Sequence, residues 1–245
     1  MNRIIIILIF LVSIGTIFSE DVLRYRSLTL DTFDNPNQSI GWEVRGSKNI
    51  AEDYPRVSFI NTWPAALHGY NSDRERDLRA LGVEAAFTQR GYNYLEIFPT
   101  ERLADGSFIN RSIELPGDTI GLSVWAWGSN YDFSLEVHIR DYRGVVHQVP
   151  FGKINYYGWR QLTATIPTAV PRRSPYQFNF ADLYVDKIVL WTEPQEPVSG
   201  FFLYLDDLQV LSRTNTEVVD GGELFIPEIR DSRWEESSNG TEETN

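Results

Sequence analysis

Three histidines, no cysteine and 34 carboxylate side chains make up the reactive inventory of this 245-residue chain. Without cysteine there is no disulfide, no thiolate metal site and no thiol nucleophile. His138 and His147 flank the turn Asp141-Tyr142-Arg143-Gly144. A two-residue loop at Tyr142-Arg143 would set the two imidazoles opposite each other as a metal pair. That register also pairs Val137 with Gln148 and splits the apolar faces. A bulge at Gly144 shifts it by one residue, pairs Val137 with Val149 and Leu135 with Phe151, and puts the imidazoles on opposite faces. A buried face fixes register strongly, so the shifted form is expected. A metal needs three or four converging ligands and is not expected there.

The carboxylates raise the question of a two-acid glycosidase. No pair occupies strand ends that would frame a sugar cleft. A Ser-His-Asp site lacks its G-x-S-x-G elbow, and no glycine-rich phosphate loop is present. The reading is therefore of a protein that is not an enzyme, with no catalytic and no cofactor-binding residue assigned. One acidic constellation stands out. Phe201, Leu203 and Leu205 share one phase of alternation and Leu208 and Val210 the other, so the phase flips across Asp206-Asp207 and predicts a bulge. Asp31-Thr32-Phe33-Asp34 is a second acidic cluster. If the first and last strands are neighbours, the two clusters meet as an oxygen-rich site for a structural calcium ion. The alternative is two solvated strand ends. Trp125 and Trp127 share one face of a strand whose other face carries Ile120, Leu122 and Val124. They are the interface candidates: such a pair stacks on a sugar ring, forms a second apolar layer or anchors a protein contact.

The elements that must position these residues alternate at period two. Leu135, Val137 and Ile139 alternate with Glu136, His138 and Arg140, and Leu162, Ala164 and Ile166 with Thr163 and Thr165. Runs 83–87, 94–98, 187–191 and 201–211 read similarly, separated by turns such as Leu115-Pro116-Gly117-Asp118 and Glu193-Pro194-Gln195-Glu196-Pro197. Many short strands punctuated this way predict an all-β fold, an antiparallel β-sandwich or jelly roll of the kind seen in carbohydrate-binding modules. The best helical candidate is Ser72 to Leu81, capped by Ser72 and stopped by Gly82, but its charges fit a surface turn of helix or a loop better.

The ends differ from the body. Met1 to Arg3 is a short basic start, Ile4 to Val12 is apolar, and Ser13, Gly15, Thr16 and Ser19 soften the stretch before Glu20-Asp21. This is the pattern of a secretory signal, expected at 1–19 and removed after Ser19. The apolar stretch is short of the about 20 residues that a membrane span needs, so no membrane anchor is expected after cleavage. A β-sandwich domain is expected at 20–213. The tail, 214–245, holds nine acidic residues against two basic ones, a net charge of −7. It is expected to be mostly disordered, although Leu224, Phe225, Ile226 and Trp234 interrupt its polar pattern. The whole chain has a formal net charge of −12. A balance this acidic argues against nucleic acid and against anionic lipid as partners.

Thr32-Phe33-Asp34, Gly41-Trp42-Glu43-Val44, Val124-Trp125-Ala126-Trp127-Gly128, the block from Ile139-Arg140-Asp141-Tyr142-Arg143-Gly144 through Gly158-Trp159-Arg160-Gln161-Leu162 to Ile166-Pro167, and the closing Asp186-Lys187-Ile188-Val189-Leu190-Trp191 and Phe202-Leu203-Tyr204-Leu205-Asp206-Asp207-Leu208 strands follow one another in this order. In order and spacing the chain resembles the spirochaete flagellar filament outer-layer protein A family, from about Leu30 to Leu211. The resemblance implies a structural protein of the periplasm and the periplasmic flagellum. It would coat the flagellar filament core with other sheath proteins and contribute to filament shape and motility. The alternative from a different class is an exported carbohydrate-binding jelly-roll module acting alone.

Overall fold

The period-two runs become strands. The computed structural model describes residues 24–34, 40–69, 77–103, 105–116, 118–172 and 183–214. The expected signal at 1–19 and the tail from 215 onward lie outside the described residues. Two antiparallel sheets face each other. In sheet A, β11 (Tyr157–Thr165), β8 (Asp118–Ser129), β13 (Phe201–Thr214), β4 (Ala80–Ala85) and β3 (Arg56–Ile60) lie in that order, and β1 (Arg24–Asp31) pairs with the far end of β13. In sheet B the order is β10 (Val146–Lys153), β9 (Ser134–Asp141), β12 (Leu183–Trp191), β5 (Tyr94–Arg102) and β2 (Ile40–Gly46). Strands β5 and β12 splay apart at one end. Two short strands fill the gap, β6 (Phe108–Asn110) on β5 and β7 (Ile113–Glu114) on β12.

Alternation delivers the core. Leu122, Val124, Ala126, Leu203, Leu205, Leu81 and Val83 project inward from sheet A. Leu95, Ile97, Leu135, Val137, Ile139, Ile188 and Leu190 project from sheet B, and all are fully or almost fully buried. Each of the Val, Leu and Ile side chains contributes about 1.5–3 kcal/mol relative to exposure. Phe133 and Phe201, with centroids 5.0 Å apart, close one end of the sandwich. Strands β10 and β11 touch across the two sheets on one side. At the opposite side β2 and β3 are the last strands of their sheets. Gly128 is a point of close approach. A Cβ there would stand 2.5 Å from Ile154 O and 2.6 Å from Tyr156 O, both backbone atoms.

The bulge expected at Asp206-Asp207 is present. The β13–β8 register shifts between Asp206 and Gln209, Asp207 takes φ 47°, and Leu208 and Val210 return to the core. First and last strands are neighbours, as β1 pairs along β13. The His hairpin takes the shifted register: Val149 faces Val137, and Gln148 rather than His147 faces His138. A second bulge between Pro150 and Gly152 places Gly152, not the expected Phe151, opposite Leu135. The helical candidate does not hold where it is described. Ala80 and Leu81 belong to strand β4, where Leu81 is fully buried against the opposite sheet, so burial overrides the local charge pattern. Residues 72–76 lie outside the described residues. The helix among the described residues is a single turn, α1 (Ala65–His68).

Candidate interaction face

The outward faces of the two sheets differ in chemistry. On sheet A, Trp125 and Trp127 leave β8 opposite the buried Leu122, Val124 and Ala126 and are half-buried. The cross-strand register gives them neighbours of the same kind. On β11, Trp159 lies opposite Trp127 and Gln161 opposite Trp125. On β13, Tyr204 lies opposite Trp127 and Asp206 opposite Trp125. The Trp127 and Tyr204 rings meet edge-on at 5.4 Å, and Trp159 stands 6.4 Å from Tyr204. Tyr157, 75 % exposed, and Phe202, 38 % exposed, extend the band along the two strands that flank β8. Trp125 Nε1 is buried and has no acceptor among the described residues, an arrangement that costs about 1–3 kcal/mol.

Sheet B covers the middle of its outer face with paired charges, while Val146 on β10 and Phe108 and Ile109 on β6 are about half exposed. Glu136 Oε1 accepts from Trp191 Nε1 at 2.8 Å and lies 2.8 Å from His138 Nε2. Lys187 pairs with Glu96 across β12 and β5. Arg140 Nε donates to both oxygens of Asp186 at 3.2 Å, Ser112 Oγ donates to Asp186 at 2.7 Å, and the Arg140 guanidinium lies over the Tyr184 ring at 4.8 Å. Val189, on the same outward phase as Trp191, is almost fully buried beneath this layer. These charges already have partners, which makes the layer a poor surface for dry association. A cleft of about 420 Å3 opens where β5 and β12 splay, lined by Pro99, Thr100, Arg111, Ser112 and Tyr184 among others. Glu114 is the one carboxylate among its described lining residues, so the cleft does not bring two acids together.

His138 and His147 sit on opposite faces. His147 Nε2 lies 3.0 Å from Asp141 Oδ2. Asp141 is fully buried and also accepts from the Arg143 and Val145 N–H groups and from Arg143 Nη2. Burial opposes ionisation there, but the donors prevail and hold the Asp141 carboxyl at a pKa of about 2. This carboxylate ties off the β9–β10 hairpin.

The two acidic clusters do converge. Asp206 is 3 % exposed, and burial together with the charges of Asp34, Asp207 and Asp31 pushes its pKa up to about 8. The neighbours are engaged in the fold. Asp31 accepts from Phe33 N–H at 2.8 Å and from Trp42 Nε1 at 2.8 Å, which ties β1 of sheet A to β2 of sheet B. Asp34 accepts from Arg79 N–H at 2.9 Å, and Asp207 from Gln209 Nε2 at 2.6 Å. Among the described residues no group of three or more His, Asp or Glu side chains stands close enough to hold a metal ion.

The family of flagellar filament outer layer protein FlaA matches this chain over residues 23–221. The chain belongs to that family. Among its relatives, a flagellar filament outer layer-like protein of Brachyspira hyodysenteriae is 22 % identical over 185 residues, covering 73 % of this chain and 75 % of the relative. Solved structures of similar fold include the family 11 carbohydrate-binding module of a Clostridium thermocellum cellulase, at 8 % identity and TM-score 0.43, covering 76 % of this chain and 94 % of that one. A carbohydrate-binding module of the β-sandwich superfamily aligns at 12 % identity and TM-score 0.47, covering 76 % and 61 %. In this FlaA-family chain the matched segment contains both sheets and the whole aromatic band. Sequence reasoning found Trp125 and Trp127 but missed Tyr157, Trp159, Phe202 and Tyr204. Their own alternation was visible in Tyr157-Gly158-Trp159 and Phe202-Leu203-Tyr204. That β11 and β13 flank β8 was not.

Proposed function

We propose that this protein is a structural, non-catalytic component of the outer layer of the periplasmic flagellar filament, and that it docks through the aromatic outer face of sheet A. It reaches the periplasm by the signal at 1–19, coats the flagellin core beside other sheath proteins and thereby contributes to filament shape and motility. The observation that carries the docking part is the contrast between the two faces. Sheet B screens its centre with paired charges, while the centre of sheet A presents Tyr157, Trp159, Trp127, Phe202 and Tyr204 outward on three adjacent strands. Aromatic residues are the usual anchors of such contacts, and truncating one commonly costs about 2 kcal/mol or more of binding. A coat also needs contacts that repeat without closing on themselves.

Filament incorporation of the Trp125→Ala/Trp127→Ala protein tests this reading. Both side chains lie outside the core, so the variant should be secreted and melt cooperatively, yet be lost from purified filaments. Normal incorporation of a folded double variant would remove the aromatic face from the docking account. Binding of a glucan or other polysaccharide that depends on these tryptophans would instead support the carbohydrate-binding alternative.

A further inference from the structure

Beside the aromatic band, β4 carries Gly82 on the outward face. A Cβ there would stand 2.9 Å from Ile60 Cγ1 and 3.2 Å from both Ser58 O and Tyr204 Cδ1. These neighbours close over Gly82, and beside them a groove of about 150 Å3 opens between β3 and β13, walled by Ser58, Ile60, Phe202 and Tyr204. Ile60 is 40 % exposed, so the walls are apolar and open to solvent. At the groove lies the Arg56–Glu84 pair, 3.5 Å apart, with the Arg56 side chain 59 % exposed. The space suits one or two apolar side chains accompanied by an acid.

The sequence supplies such a segment. After Thr214 come 31 residues of acidic chain, and Leu224-Phe225-Ile226 is an apolar run between Glu223 and Glu228. It lies beyond residue 221, where the family match ends. Reach decides which molecule it can serve. Thr214 is ten residues past Tyr204 on β13, about 33 Å along the strand. Leu224 is ten residues past Thr214, so a return to its own groove would need a reversal of direction followed by a fully extended path. A neighbouring copy imposes no such limit.

We propose that Leu224–Ile226 of one copy fills the Gly82 groove of the next, with Glu223 or Glu228 set against Arg56. Groove and segment are different surfaces, so each copy offers one of each and the contact propagates as an open chain. Apolar burial supplies the attraction and the charge pair fixes the register. This contact is between copies and is measured without any filament. It shares Phe202 and Tyr204 with the aromatic band, so its variants are placed outside the band, at Ser58, Leu224 and Ile226, and its outcome is read separately from docking through Trp125 and Trp127.

The chain has no cysteine, so Ser58→Cys with Ile226→Cys introduces the only two thiols. Mild oxidation of the exported protein should give a ladder of disulfide-linked multimers. Moving the second thiol to Glu243→Cys should reduce the ladder at least tenfold. By sedimentation velocity the protein without these changes should gain mass with concentration. Leu224→Asp/Ile226→Asp should weaken that association at least tenfold, and so should Ser58→Trp, which fills the groove from an exposed position. The melting temperatures should stay unchanged. A disulfide formed only within monomers, a monomer at all concentrations, or association that persists in both variants would overturn the proposal.

Discussion

Asp206 and Asp141 are both buried carboxyls, and they respond to pH in opposite directions. Asp206 is raised to about 8 by burial and by neighbouring carboxylates. It is therefore largely protonated at neutral pH in the folded state and ionised in the unfolded one. Its contribution is fully present below an unfolded pKa of about 4 and is lost as pH rises through 8, at up to about 1.4 kcal/mol per pH unit. The melting temperature should fall from pH 6 to pH 9, and Asp206→Asn should flatten that dependence. If the acidic cluster instead holds a structural calcium ion, calcium added at pH 8 should raise the melting temperature by several degrees, and Asp206→Asn should abolish the rise. Asp141 has a lowered value of about 2. Its stabilisation is present above pH 4 and is lost as pH falls through 2. Asp141→Ala leaves the buried hairpin donors unpaired and should cost about 3 kcal/mol, read by urea denaturation. Trp125→Phe makes a finer distinction. It removes an N–H that has no acceptor among the described residues and trades the indole for a smaller ring, so relief of about 1–3 kcal/mol is set against lost apolar contact, and stability should not fall by more than about 1 kcal/mol while docking persists.

The strand is the scale at which the sequence was most legible. Alternation over Leu135 to Arg140 and over Leu122 to Trp127 matches which side chains are buried except at His138, which is buried on the outward phase, and the phase flip at Asp206-Asp207 marked the bulge. Strand β4 was readable in the same way only from Val83 onward. Ala80-Leu81-Gly82-Val83 is buried almost continuously because Leu81 and Val83 face the core while Ile60 and Tyr204 close over Gly82 on the outer face, and that pattern cannot be told from a helix end by period alone. The aromatic band was half legible for a related reason: alternation assigns a face to each strand, whereas adjacency of β11, β8 and β13 depends on long-range pairing. Gly128 shows how tightly that pairing is fitted. An added methyl would meet backbone oxygens at 2.5 and 2.6 Å, so Gly128→Ala cannot be relieved by side-chain motion. It should cost more than about 3 kcal/mol or abolish the cooperative thermal transition.

At the scale of the whole molecule, each surface has a separate task. The centre of sheet B is covered by ion pairs, the centre of sheet A bears the aromatic band, and the Gly82 groove adjoins that band on the open flank of sheet A. A net charge of −12 keeps such a molecule soluble before assembly. Removing residues 215–245 takes away no part of the described core, so the shortened protein should melt within a few degrees of the full one while losing its concentration-dependent association. The central claim is that this family member lies on the filament surface with sheet A turned toward a neighbour. Cryo-electron microscopy of isolated periplasmic filaments, at a resolution that separates the two sheets, tests it directly. The account predicts sandwich-shaped density in the outer layer with Tyr157, Trp159, Trp127 and Tyr204 inside a protein–protein contact. Filaments whose outer layer lacks this chain, or holds it with the aromatic face open to solvent, would contradict the account.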